Sequence, residues 1–144
     1  MKISTRLRYG LRLLIDLAIH QNDKPVKLKD IAHRQNISLN YLRQLIMPLE
    51  TAGFIRSIRG NRGGYVLDKP PSDINLWEVA SVLEGPLTLV DCVENPQLCG
   101  KSNNCPTRNL WYTISTKIRD TLIDKSLDDI AKGEGGYVGD LSGS

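Results

Sequence analysis

Cys92, Cys99 and Cys105 are the only cysteines of this 144-residue chain, and they fall within fourteen positions as C-x6-C-x5-C. They sit in a polar stretch with Pro96, Gly100 and Asn103-Asn104, which offers little apolar core to hide in. Such a stretch can fold back so that three thiolates converge, and three thiolates suit a soft centre, either iron–sulfur or zinc. The spacing differs from the paired CxxC elements of zinc ribbons and from the CxxC of thioredoxin-type redox sites. Thiol or disulfide switching and inert burial are the alternatives to a metal centre. A centre would need a further ligand: there is no fourth cysteine, and the two histidines, His20 and His33, lie in the other half of the chain. No histidine lies near a cysteine in the sequence to activate it as a nucleophile, so the chain reads as a non-enzyme. The odd cysteine count points to a reduced, cytoplasmic setting.

A second group of residues points to a polyanion. The net charge of +3 hides an asymmetry: residues 1–69 carry +8 and residues 70–144 carry −5. A basic half joined to an acidic one suggests a nucleic-acid-binding face attached to something else. Arg59 and Arg62 stand out, because they share the tip Arg59-Gly60-Asn61-Arg62-Gly63-Gly64. Glycines there permit a tight turn, and the arginines can reach a groove or clamp phosphates.

The elements that must position these residues follow from periodicity. Leu7, Leu11, Leu14, Ile15, Ala18 and Ile19 recur at helical spacing after Ser4, a plausible N-cap. Leu28–Arg34 forms a short helix, with Asn36 as a left-handed terminator. Ser38 opens the next helix, which carries Leu39, Leu42, Leu45, Ile46 and Leu49; Pro48 should bend it or tighten its last turns, and Gly53 ends it. Two helices joined by a short turn are the helix-turn-helix pattern, the second being the reader. Residues 54–58 and 65–67 read as strands flanking the basic tip, and so complete a winged helix-turn-helix.

Beyond Lys69-Pro70-Pro71, Asn75 caps a helix that stops at Gly85-Pro86. A longer helix begins from Cys105-Pro106 and carries Leu110, Trp111, Ile114, Ile118 and Leu122. Little chain is left to cover that stripe, so it reads as a dimerisation helix rather than one folded back on its own domain. Ser126 caps a short last helix. The predicted chain is therefore mainly α. It has a winged helix-turn-helix DNA-binding domain with a small β-hairpin wing over 1–69, a linking helix over 70–86 and a cysteine loop over 87–105. A long C-terminal dimerisation helix and short terminal helix span 106–132, and a flexible tail 133–144. No apolar run is long enough to span a membrane, and no secretory leader is evident.

The chain resembles the bacterial regulators that include the iron–sulfur cluster regulator IscR and the nitric-oxide-sensing repressor NsrR. The resemblance is carried by Tyr9-Gly10-Leu11, Ile37-Ser38, Tyr41-Leu42, Gly63-Gly64-Tyr65-Val66-Leu67, Asn75-Leu76-Trp77-Glu78, Glu84-Gly85-Pro86, the cysteine trio and Ser126-Leu127-Asp128-Asp129-Ile130. It runs to about residue 131. It implies a homodimer that controls transcription, with Cys92, Cys99 and Cys105 holding an iron–sulfur cluster, [2Fe–2S] in first place and [4Fe–4S] as the alternative. The IscR type has a histidine just past its third cysteine, where this chain has Thr107-Arg108-Asn109; the NsrR type has an acid in the first helix, where this chain has arginines. The fourth ligand is thus left open between Asn104, Asn109, Glu94, a partner-subunit group, water or a small thiol.

The expected partner is double-stranded DNA with a near-palindromic operator. Ser38, Asn40, Tyr41, Arg43 and Gln44 occupy the first turns of the reading helix, within reach of base edges; Tyr41 is equally suited to packing. Arg59, Gly60, Asn61 and Arg62 form the wing that approaches the minor groove or backbone. Lys2, Arg6, Lys27 and Lys29 are expected to position phosphates.

Overall fold

The computed structural model describes residues 2–133 except 88, 91, 92, 94, 96, 98, 99 and 101–103; Cys92, Cys99 and the expected tail over 134–144 lie outside the described residues. Among the described residues, five main helices, a two-stranded sheet and a short last helix are seen, with α1 (Thr5–His20) burying Leu7, Leu13, Leu14 and Leu17 along one stripe. Ser4 caps α1, its hydroxyl accepting from the Leu7 amide, while the Ser4 amide and hydroxyl both donate to the Glu84 carboxylate. That pair ties the start of α1 to the end of α4 (Leu76–Glu84).

α2 (Leu28–Gln35) stops because Asn36 turns left-handed, at φ 53° and ψ 49°. Ser38 then accepts from the Tyr41 amide and starts α3 (Leu39–Thr51). Leu42, Leu45, Ile46 and Leu49 face the core. α3 runs on past Pro48, and its end is closed by Gly53 at φ 82°, where the Phe54 amide reaches back to the Leu49 carbonyl. Gly53 supplies the positive φ that this closure needs.

β1 (Ile55–Ile58) and β2 (Gly64–Leu67) pair antiparallel, Ile55 opposite Leu67 and Ile58 opposite Gly64. The sheet is therefore one residue shorter at its start than periodicity suggests, and one longer at Gly64. Periodicity gives no hint of a third contact: Val26 bridges Tyr65 through two amide–carbonyl bonds of 2.9 and 2.8 Å. This bridge fastens the segment before α2 to the wing.

A single 3-10 turn (Pro71–Asp73) leads into α4, which Asn75 caps by accepting from the Trp77 and Glu78 amides. α5 (Arg108–Ile123) starts three residues later than the expected Cys105, because 105–107 form a turn in which the Arg108 amide bonds to the Cys105 carbonyl. Only Ser115 of α5 is buried; Leu110, Tyr112 and Ile123 are exposed, and Arg119 lies 6.0 Å over the Trp77 ring. α6 (Leu127–Ala131) has a reciprocal cap between Ser126 and Asp129. It is stitched to the domain by the Asn75–Ser126 bridge, and Leu127 is wholly buried in the common core against α1. The last helix thus shares the core built by the N-terminal half. Among the described residues no helix is long and apolar enough to cross a membrane.

Candidate nucleic-acid interface

α3 turns Leu42, Leu45, Ile46 and Leu49 inward, so its outward stripe is set by helical spacing. Asn40, Arg43 and Gln44 are exposed on that stripe, with the Arg43 guanidinium donating to the Asn40 side-chain oxygen at 3.4 Å. Ser38 is exposed at the N-terminus, where its hydroxyl oxygen serves as the cap. Tyr41 departs from its neighbours. Its half-buried ring meets Tyr9 edge-on, with centroids 5.8 Å apart and planes at 89°, so it packs α3 onto α1. This geometry serves the packing alternative.

The wing tip is closed by the Gly63 amide donating to the Gly60 carbonyl at 3.0 Å, with Gly60 at φ 113°. Arg59, Gly60, Asn61 and Arg62 are all exposed. Because the Val26–Tyr65 bridge holds Lys27 against the wing, Lys27 lies between two hollows. One, of about 590 Å³, joins it to Lys24, Asp30, Asn61 and Arg62. The other, of about 550 Å³, joins it to Lys29, Arg43, Met47 and Tyr65. The structure thus brings Lys27, Lys29, Arg43, Asn61 and Arg62 to one side of the domain. Lys2 belongs elsewhere, lining a small cleft with Glu84, Pro86 and Ile118 at the far end of α1. Arg6 is exposed in the first turn of α1.

Sequence reasoning missed the residues that hold this face in place. Arg12 donates through Nε to the Gln35 side chain at 3.1 Å and also bonds the Gln35 carbonyl, while its guanidinium lies 5.3 Å over the Tyr9 ring. Asp16 is wholly buried, and accepts from Arg34 and from the Gln35 amide group. The Asp16 hydrogen bond raises the Arg34 pKa further above its ordinary value. These contacts tie α2 and its closing turn to α1 just before the reading helix begins. The expected stripe through Leu11, Ile15 and Ile19 gave no signal of this, because the buried face of α1 is turned toward Leu13, Asp16 and Leu17 and leaves Ile19 exposed. Lys24 and Met47 also join the face, with no motif to announce them.

Of the cysteine trio, Cys105 is the described member. It is half-buried, with Sγ 3.3 Å from the Thr107 hydroxyl. Asn104 and Asn109 are exposed nearby in sequence; Glu94 lies outside the described residues. Among the described residues no three of His, Cys, Asp or Glu assemble into a metal site. A partly accessible thiol, preceded by two more within thirteen positions, fits a soft metal or cluster by the chemistry of its donors.

Comparison with known proteins places this geometry. The Rrf2 family profile, described as an iron-dependent transcriptional regulator, matches residues 3–133. The HTH-type transcriptional regulator CymR of Bacillus subtilis is 40% identical over 131 residues, 91% of this chain and 90% of that protein. The HTH-type transcriptional regulator IscR of Pectobacterium atrosepticum is 35% identical over 130 residues, 90% of this chain and 79% of that protein. The solved structure of CymR, the global cysteine regulator of B. subtilis, superposes with a TM-score of 0.78 at 39% identity, covering 92% of this chain and 97% of that one.

Proposed function

The chain belongs to the Rrf2 family of winged-helix transcriptional regulators, and from that premise we propose that it works as a homodimer whose grip on a near-palindromic operator depends on the state of its cysteine trio. Its role is that of a DNA-binding regulator and not of an enzyme. One observation carries the reading of the DNA face: Lys27, fastened by the Val26–Tyr65 bridge, joins the α3 groove to the wing. In this reading α3 presents Asn40, Arg43 and Gln44 to base edges. Lys27, Lys29 and Arg62 neutralise phosphates on either side. The exposed Leu110 and Tyr112 on α5 are the dimer-forming surface.

Cys92, Cys99 and Cys105 would hold an iron–sulfur cluster, as the family description and the IscR relative favour. When bound, a cluster would supply a group that oxidants and nitric oxide attack and whose occupancy follows iron supply. The chain's own part is to connect that segment to the DNA face. Glu84, at the end of the helix before the cysteines, accepts from the cap of α1, and α1 holds α2 and α3 in register. A solved structure of Staphylococcus aureus CymR in an oxidized form, 36% identical to this chain, favours a second reading, in which the same thiols are switched by direct oxidation.

Two measurements test this. Binding to duplex DNA should weaken steeply with salt, and Lys27→Ala or Arg62→Ala should each lower the log–log salt slope by about one. Binding that ignores salt and both substitutions would overturn the DNA face. Anaerobic iron and sulfide analysis with spectroscopy separates the two cysteine readings. A coloured protein that loses its iron in Cys99→Ala supports the cluster, and a colourless one with three titratable thiols supports the switch.

A further inference from the structure

We propose that Met47 reads DNA sequence by packing its side chain against the methyl group of a thymine in the major groove. This deepens the function proposed above and rests on α3 being the helix that enters the groove.

Met47 is 72% exposed, the most exposed large apolar side chain among the described residues. A lone exposed apolar side chain is ordinary on a protein surface; its company is what distinguishes this one. Asn40, Arg43, Gln44 and Met47 follow the i, i+3, i+4, i+7 spacing of one helix face, and all four are exposed. Homeodomain recognition helices place their base-reading residues at that same spacing. The opposite face, Leu42, Leu45, Ile46 and Leu49, is locked into the core, so the stripe cannot roll inward. Met47 also lines the same groove as Lys27, Lys29 and Arg43, which puts it among the cations expected to meet phosphates.

The chemistry is selective. Base edges in the major groove present donors and acceptors, which suit Asn40, Arg43 and Gln44, plus one apolar group, the 5-methyl of thymine. An unbranched, polarisable thioether adapts to such a small target and has no hydrogen bond to offer the others.

The test begins with the intact protein selecting a duplex from a random pool, so the operator sequence need not be specified. Each thymine is then replaced in turn, in both half-sites, by deoxyuridine, which lacks only the methyl. At one position per half-site the intact protein should lose about fourfold in affinity, the value of one buried methyl. Met47→Ala should be indifferent at that position while keeping the wild-type salt slope, since no charge is removed. Met47→Leu should keep the dependence. Because the side chain is exposed, its truncation takes nothing from the core.

A Met47→Ala variant with the wild-type deoxyuridine profile overturns the proposal, as does an intact protein with no methyl-dependent position. If the intact protein selects no duplex, the assignment of α3 as reader fails with it. If it selects and binds one but shares its profile with Met47→Ala, only the assignment of Met47 fails.

Discussion

Arg34 grips Asp16 with two prongs across the α1–α2 contact, Nη2 lying 2.7 Å from Oδ1 and Nε 3.0 Å from Oδ2. The carboxylate is wholly buried, while the arginine side chain keeps about a third of its surface in water. Gln35, itself buried, donates to the same carboxylate at 2.9 Å. Three donors therefore converge on one acid, at the end of α2 and just ahead of the turn that launches the reading helix.

Asp16→Ala strands these donors, one of them out of reach of water. Because Arg34 still reaches water, the loss is that of hydrogen bonds to a charged group and of a stranded buried donor, about 1.5–3 kcal/mol. Urea unfolding should show a lower midpoint at unchanged slope. Asp16→Asn, which retains an acceptor oxygen, should lose less. Equal loss in both variants would mean that the charge contributes everything and the hydrogen bonds nothing.

Gly64 is required where the wing meets the segment before α2. A Cβ added there would stand 2.5 Å from the Val26 carbonyl oxygen and 2.7 Å from its carbon, both rigid backbone atoms. Gly64→Ala should cost about 1–3 kcal/mol through forced displacement. By pushing Lys27 away from the wing, it should also weaken duplex binding beyond what the lost folded fraction explains. Thermal unfolding and a DNA titration on the same preparation check the two effects.

Ser115 on α5 offers the opposite case. Its hydroxyl is sealed from water and has no hydrogen-bond partner among the described residues. Thr113 and Thr121 on the same helix, by contrast, each donate to the carbonyl four residues back at 2.8 Å. An unpaired buried hydroxyl costs about 1–3 kcal/mol, so Ser115→Ala should leave stability unchanged or raise it by about 1 kcal/mol. A drop in unfolding midpoint of several degrees would show that the hydroxyl has a partner in solution.

Acid should release the last helix. The Asp129 pKa is lowered, chiefly by the Ser126 amide that donates to its carboxylate at 2.8 Å. A depressed carboxyl stabilises the fold above its unfolded pKa, and that contribution disappears as pH falls through the folded value. Protection of the 126–131 amides in hydrogen exchange should therefore hold near neutrality and decline below the ordinary carboxylate range. Asp129→Asn should flatten that dependence.

Much of this architecture was legible because its causes are local. A serine or asparagine ahead of an apolar period starts a helix by accepting amides two or three residues on, and Ser4, Ser38, Asn75 and Ser126 all do so. Asn36 and Gly53 stop helices for the equally local reason that they tolerate positive φ. Glycines and arginines at 59–64 made the basic wing readable, and the burial of Leu42, Leu45 and Leu49 follows from 3.6-residue periodicity.

The tertiary structure decided what faces what. Tyr41 against Tyr9, Val26 beside Tyr65, Asp16 under Arg34 and Leu127 in the shared core join residues far apart in the chain and on different elements. Such pairings depend on how helices cross and where a returning chain docks, which no periodicity encodes. Met47 shows the division in one residue. Sequence alone sets its side of α3, and only the completed core, filled without it, leaves that side chain in water beside Arg43.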